Sequence, residues 1–135
     1  MAKKLLLVED DEATLDTLSS FLHLRNHRTV SSRCVAGAID ILEKDPEIGI
    51  VLTDLRMPGP DGFDMIRSAD NLARNTGRTV PVIVVTGHGT QEDEQQAMAL
   101  GARCFLRKPI DLRQLLAEID RHTDILPGHS DVQDR

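Results

Sequence analysis

The chain has 135 residues, enough for one domain of ordinary size with its own core and too few for a second catalytic domain beside it. Hydrophobic residues at 40% and charged residues at 28% exclude a disordered or fibrous chain. The 22 acidic residues outnumber the 16 basic ones, and the net charge of −6 disfavours attraction to nucleic acid phosphates or anionic lipid, so neither a direct nucleic-acid partner nor a membrane is expected.

No apolar run approaches the roughly 20 residues of a membrane helix, and Met1-Ala2-Lys3-Lys4 leads into a stretch too short for a signal-peptide core, so a cytoplasmic location is expected. Cys34 and Cys104 stand far apart with no ligand or redox spacing, and read as small buried hydrophobes. The histidines at 23, 27, 88, 122 and 129 lie in polar surroundings without ligand spacing and read as surface residues.

In chain order, Leu5 to Val8 is the first short apolar run and reads as a buried strand. Leu15, Leu18 and Leu22 then share a helix face, with Asp11 as its N-cap. Arg28 to Ser32 is a weaker strand, where Val30 sits among polar residues as at a sheet edge. Ile39 and Leu42 mark a second helix, and Ile48 to Thr53 a third, strongly apolar strand. Ile66, Ala69 and Leu72 or Ala73 mark the third helix, followed by the strand Val82 to Thr86.

The helix around Thr90 to Leu100 is weakly apolar, with Ala97 and Leu100 facing inward and Met98 a further candidate, so its hold on the core should be light. Its run from Gln91 to Gln96 reads as a solvated face. Cys104 to Leu106 is the last strand, and the last helix opens at Asp111, a good N-cap, with Leu112, Leu115, Leu116 and Ile119 on one side. From about Asp124 periodicity is lost, which places a domain over 1–123 and a tail or linker over 124–135.

Five alternations of apolar strand and helix predict a parallel sheet covered on both faces, an α/β three-layer sandwich. Ligands in such sheets bind beyond the carboxyl ends of the strands. The residues placed there are Glu9-Asp10-Asp11, Asp54, Thr86-Gly87 and Lys108-Pro109. Glu9, Asp10 and Asp54 would repel one another unless a cation neutralised them, and an open all-oxygen site suits Mg²⁺. Lys108 adds a point positive charge for a phosphoryl oxygen, Thr86 a hydroxyl, and Gly87 room for a phosphate-sized group. Together these describe a nucleophilic carboxylate with charge neutralisers, able to attack phosphorus and form an acyl phosphate on Asp54.

The strings LLLVEDD, VLTDLRMPGPDGF, VIVVTGHG and FLRKP, in this order, resemble the receiver domains of two-component response regulators, over nearly the whole chain from about Lys4 to Arg121. The resemblance implies a flavodoxin-like (βα)5 fold with strand order 2-1-3-4-5. It implies Asp54 as phosphoacceptor, Asp10 and Asp54 on Mg²⁺, Glu9 there directly or through water in place of the commoner Asp, and the main-chain carbonyl of Arg56 completing the metal site. Thr86 and Lys108 would grip the phosphoryl group, the Lys108-Pro109 bond would be cis, and Phe105 would be the switch aromatic, acting through ring burial because it lacks a hydroxyl. Arg56 and His88 would tune the lifetime of the phosphoryl group.

The partners so implied are a sensor histidine kinase or phosphotransfer protein upstream and an effector domain or protein downstream, through the fourth helix, fifth strand and fifth helix, with a homodimer on phosphorylation as a further possibility. The domain would be a switch and not an enzyme, catalysing only its own phosphorylation and slow dephosphorylation. The alternative is a Mg²⁺-dependent aspartyl phosphatase or phosphotransferase. Such enzymes generally carry a second carboxylate two residues past the nucleophile, where this chain has Arg56.

Overall fold

A computed structural model describes residues 3–122 of the chain. The expected tail over 124–135, the domain boundary before it and His129 lie outside the described residues. Five strands and five helices alternate: β1 (Lys4–Val8), α1 (Glu12–Leu24), β2 (Arg28–Ser32), α2 (Val35–Lys44), β3 (Ile48–Thr53), α3 (Gly62–Thr76), β4 (Val82–Thr86), α4 (Gln91–Leu100), β5 (Cys104–Arg107) and α5 (Leu112–His122). The sheet is parallel in the order β2-β1-β3-β4-β5, with β2 and β5 at its edges.

The pleat divides each apolar strand between two cores. Leu6, Val8, Val51, Val82 and Val84 face α2, α3 and α4, where Leu42, Ile66 and Ala97 meet them. Leu5, Leu7, Ile50, Ile83 and Val85 face α1 and α5, against Leu18, Leu22, Leu115 and Ile119. Strands buried on both sides have no polar alternation, which is why they appear as unbroken apolar runs.

Helix starts follow from local chemistry. Asp11 accepts the amide of Thr14 at 2.9 Å, and Asp111 those of Arg113 and Gln114 at 3.0 and 3.3 Å. Asp61 with Asp64, and Thr90 with Asp93, close reciprocal capping boxes on α3 and α4. Helix α3 ends on Gly77 and α4 on Gly101, both left-handed, at φ 76° and 118°.

Several expectations about single residues are corrected. Cys34 is exposed, because it is the N-cap of α2 and its Sγ accepts the Gly37 amide at 3.4 Å. Cys104 is half-buried on edge strand β5; desolvation first, then Glu118, pushes its thiol up to about 11. His27 is buried: the turn through left-handed Asn26 folds it back so that its amide reaches the Leu22 carbonyl, and desolvation lowers its pKa. His122 is largely covered, with Nε2 3.2 Å from Glu118. On α4, Met98 faces solvent, whereas Asp93, expected on the solvated side, is buried. Its carboxylate is drawn inward by Arg56, 2.7 Å away.

Candidate functional site

Strands β1, β3 and β5 carry their terminal carboxylates and lysine to one edge of the sheet. Lys108 Nζ lies 2.6 Å from Glu9 Oε1 and 3.0 Å from Asp54 Oδ2. Asp54 Oδ1 accepts the Leu55 amide at 2.6 Å, so both oxygens of this carboxylate are oriented. Glu9 Oε2 accepts the Asp11 amide at 3.1 Å, which turns the start of α1 toward the site. Ligand oxygens of Glu9, Asp10 and Asp54 lie within 4.8 Å of one another.

A hollow of about 360 Å³ opens here, lined by Glu9, Asp10, Asp54, Arg56, His88 and Lys108 together with Asp11, Thr14 and Gly87. Thr86 and Phe105, expected at the site, do not line it. Thr86 is fully buried, its hydroxyl 3.4 Å from the His88 amide. Phe105 is half-buried and packs against the core on the α2-α3-α4 face. A Cβ on Gly89 would fall 2.5 Å from the Phe105 ring and 2.8 Å from the Thr86 methyl, so the β4–α4 loop rests directly on both. The Lys108-Pro109 bond is cis.

Electrostatics sets the character of the hollow. Three carboxylates against one ammonium leave two formal negative charges uncompensated when all are ionised. Desolvation raises the pKa of Glu9, and hydrogen bonds from Lys108 and the Asp11 amide offset only part of the rise. Burial pulls Lys108 down, but its hydrogen bonds to Glu9 and Asp54 and the field of both carboxylates carry its pKa above the ordinary lysine value. An open, all-oxygen site with this charge fits a divalent hard cation. Glu9, Asp10 and Asp54 would hold it.

Residues that strand-end spacing does not mark become visible only in the fold. Gly62, the first residue of α3, donates its amide to the Leu55 carbonyl at 2.9 Å, and a Cβ there would sit 2.5 Å from the Asp54 carbonyl oxygen. Arg56 pairs with Asp93, and Arg107 bonds Glu94 at 3.0 Å and the Gly89 carbonyl while its guanidinium lies 5.1 Å from the Phe105 ring centroid. The DG pair at the start of α3 was the available signal for Gly62; nothing local signals the arginine pairs.

A doubly wound five-stranded parallel sheet with an acidic pair, a central aspartate and a lysine at its carboxyl edge defines a class of signalling domain. The family described as response regulator receiver domain matches residues 5–120, and the chain belongs to it. It is 36% identical over 129 residues to the response regulator protein FleR of Pseudomonas aeruginosa, covering 95% of this chain and 26% of that one. It is 31% identical over 129 residues to the transcriptional regulatory protein FixJ of Rhizobium meliloti, covering 95% and 61%. The chain thus spans only a part of each of these curated relatives.

Among solved structures, a response regulator receiver protein from Pseudomonas putida superposes with a TM-score of 0.81 at 30% identity, over 90% of this chain and 98% of that one. Chemotaxis protein CheY4 of Vibrio cholerae shares the fold with a TM-score of 0.80 at 21% identity, over 90% and 99%. The chain is therefore a receiver domain of two-component systems, a signalling domain and not a classical enzyme. Among the described residues no helix is long and apolar enough to cross a membrane.

Proposed function

We propose that Asp54 accepts a phosphoryl group from a phosphohistidine on a sensor kinase or phosphotransfer protein, in the cytoplasm, and that the added charge changes an output surface on α4, β5 and α5. The observation that carries the reading is the convergence of Asp54 with Lys108, Glu9 and Asp10 at the strand ends. An Asp54 oxygen attacks phosphorus in line, the P–N bond of the donor breaks, and its electron pair returns to the imidazole nitrogen, which is left neutral once its proton balance is restored from water. Lys108, already 3.0 Å from Asp54, is placed to follow the charge onto a phosphoryl oxygen. Bound Mg²⁺ would supply further charge neutralisation of those oxygens, with the Arg56 carbonyl as an additional ligand. Thr86 would turn its hydroxyl to the phosphoryl group, Phe105 would pack behind it, and Arg56 and His88 at the rim would set how fast water removes the group.

A groove of about 370 Å³ adjoins the hollow, sharing Thr14 and Lys108 with it and lined further by Ala13, Leu18, Pro109, Ile110 and Leu112. Its apolar wall beside the acceptor suits the donor protein, which must bring its histidine to Asp54. The downstream partner, an effector domain or protein, and a dimer formed on phosphorylation belong to the same reading.

Incubation with phosphoramidate and Mg²⁺ tests it. Intact mass should rise by one phosphoryl group in wild type and stay unchanged in Asp54→Asn; an equal gain in both would remove Asp54 as acceptor. Rapid multiple turnover of small phosphorylated metabolites would instead favour an aspartyl phosphatase, for which position 56 offers an arginine where a second carboxylate is needed.

A further inference from the structure

Helix α4 is held to the domain in an unusual way. Its apolar anchor is small: Ala97 is buried and Leu100 partly so, while Met98 faces solvent. Two arginines grip its first turn instead. Arg107 of β5 bonds Glu94, and Arg56, from the loop after β3, bonds Asp93 at 2.7 Å. These arginines differ in one respect. Arg56 also lines the acidic hollow, two residues beyond Asp54, and its amide approaches Asp54 Oδ1 at 3.4 Å.

The two ends of the Arg56–Asp93 pair are unequal. The arginine side chain keeps 51% of its exposure and has room to swing, resting with its guanidinium 5.7 Å from the Phe63 ring centroid. The Asp93 side chain keeps only 10%. Its Oδ2 accepts the Thr90 amide at 3.0 Å, and that bond, with the arginine, keeps it ionised. Moving the arginine costs little, but leaving the nearly buried carboxylate without it costs more.

We propose that Asp93 is a positioning residue for the phosphoryl site: it holds the Arg56 guanidinium, so that a phosphoryl group on Asp54 and the first turn of α4 compete for one arginine. The inference rests on the reading of Asp54 as phosphoacceptor. A phosphoryl group brings about −1.5 to −2 charges and oxygens matched to the guanidinium fork, more than the single carboxylate of Asp93 offers. When Arg56 turns to it, Asp93 needs water, and the turn of α4 that carries it loosens. Coupling of this kind is reciprocal: whatever weakens the grip of Asp93 on Arg56 strengthens binding of the phosphoryl group by the same factor.

Beryllofluoride with Mg²⁺, a phosphoryl mimic, serves as the probe. Its affinity is measured by calorimetry for wild type, Asp93→Asn, Arg56→Met and the double variant, and amide exchange over residues 91–100 is followed with and without the probe. Asn keeps an oxygen for the Thr90 amide but lacks the charge, so Asp93→Asn should bind about two- to fivefold tighter, the range expected of an ion pair whose arginine is half exposed. The gain should vanish in the Arg56→Met background. Asp93→Glu, which keeps both the charge and the capping box, should restore wild-type affinity. In wild type the probe should speed exchange in the first turn of α4; in Arg56→Met exchange should be fast already, and the probe should add nothing. An equal effect of Asp93→Asn with and without Arg56, or unchanged exchange in a wild type that binds the probe, overturns the latch alone. Failure of wild type to bind the probe removes the acceptor reading and the latch with it.

Discussion

Glu9 is the residue at which the site works against the fold. Withdrawal from water pushes its pKa above the ordinary glutamate value, and the folded protein therefore favours the protonated form more than the unfolded chain does. The stabilisation from this group is present in full below the ordinary glutamate range and is lost as pH rises through the higher folded value. Asp11, Asp45, Glu47 and Asp93 have lowered pKa values and contribute in the opposite sense over the same acidic range. The difference between variants isolates Glu9. Relative to Glu9→Gln without metal, wild type should lose stability as pH rises from the ordinary glutamate range toward neutrality, measured by urea unfolding at each pH. A difference independent of pH would mean that Lys108 cancels the burial cost in full. At this scale the sequence was only partly legible. That Glu9, Asp10, Asp54 and Lys108 should meet followed from their places at strand ends, whereas the environments of Asp93 and His27 depend on residues brought up by the fold. A carboxylate in the run Glu92-Asp93-Glu94 carries no local mark that Arg56, 37 positions away, will cover it.

Elements were legible in proportion to how much of their burial is written in their own residues. Strands β3 and β4 span the expected residues, because β-branched runs bounded by turns leave little choice of ends, and β2 falls on the expected Arg28–Ser32 although only Thr29 and Val30 in it are β-branched. Helix α4 was legible as a weakly apolar helix around Thr90 to Leu100, with Ala97 and Leu100 facing inward, but not in its attachment, since ion pairs to other elements do the work that an apolar stripe does elsewhere. The junction between β3 and α3 shows how an element positions chemistry. Gly62 lies so close to the loop after β3 that a Cβ would meet the Asp54 carbonyl oxygen at 2.5 Å and Leu55 Cα at 2.8 Å. Both obstacles are backbone and cannot rotate away. Gly62→Ala should therefore cost about 1–3 kcal/mol, the range for overpacking a tight site. With Asp54 as the proposed phosphoacceptor, displacing its loop should also slow phosphorylation by phosphoramidate. A lower urea midpoint with unchanged slope would identify the loss as one of stability, and a midpoint equal to wild type would show that the helix start slides away freely.

Across the whole molecule, the candidate metal residues come from the ends of β1 and β3, and Lys108 from the end of β5, elements separated in sequence and drawn together by the sheet. A cation held there binds only when the sheet is assembled, so its binding energy adds to global stability and not to one loop. The same geometry makes the metal-free domain carry mutual repulsion among Glu9, Asp10 and Asp54, with Lys108 engaged by the first and last. Asp10→Asn removes one of these charges and should stabilise the metal-free protein, by about 0.5–2 kcal/mol, the usual gain from relieving an unfavourable surface charge. It should also weaken the cation site. Wild type at Mg²⁺ a hundredfold above its dissociation constant should gain about 2.7 kcal/mol, and the variant much less at the same concentration. Thermal unfolding curves recorded in a chelator and in rising Mg²⁺ should therefore change order, the variant melting higher without the ion and wild type melting higher with it. If wild type already melts higher in the chelator, the three carboxylates do not strain the fold, and the hollow lacks the charge imbalance that makes a divalent cation its natural occupant.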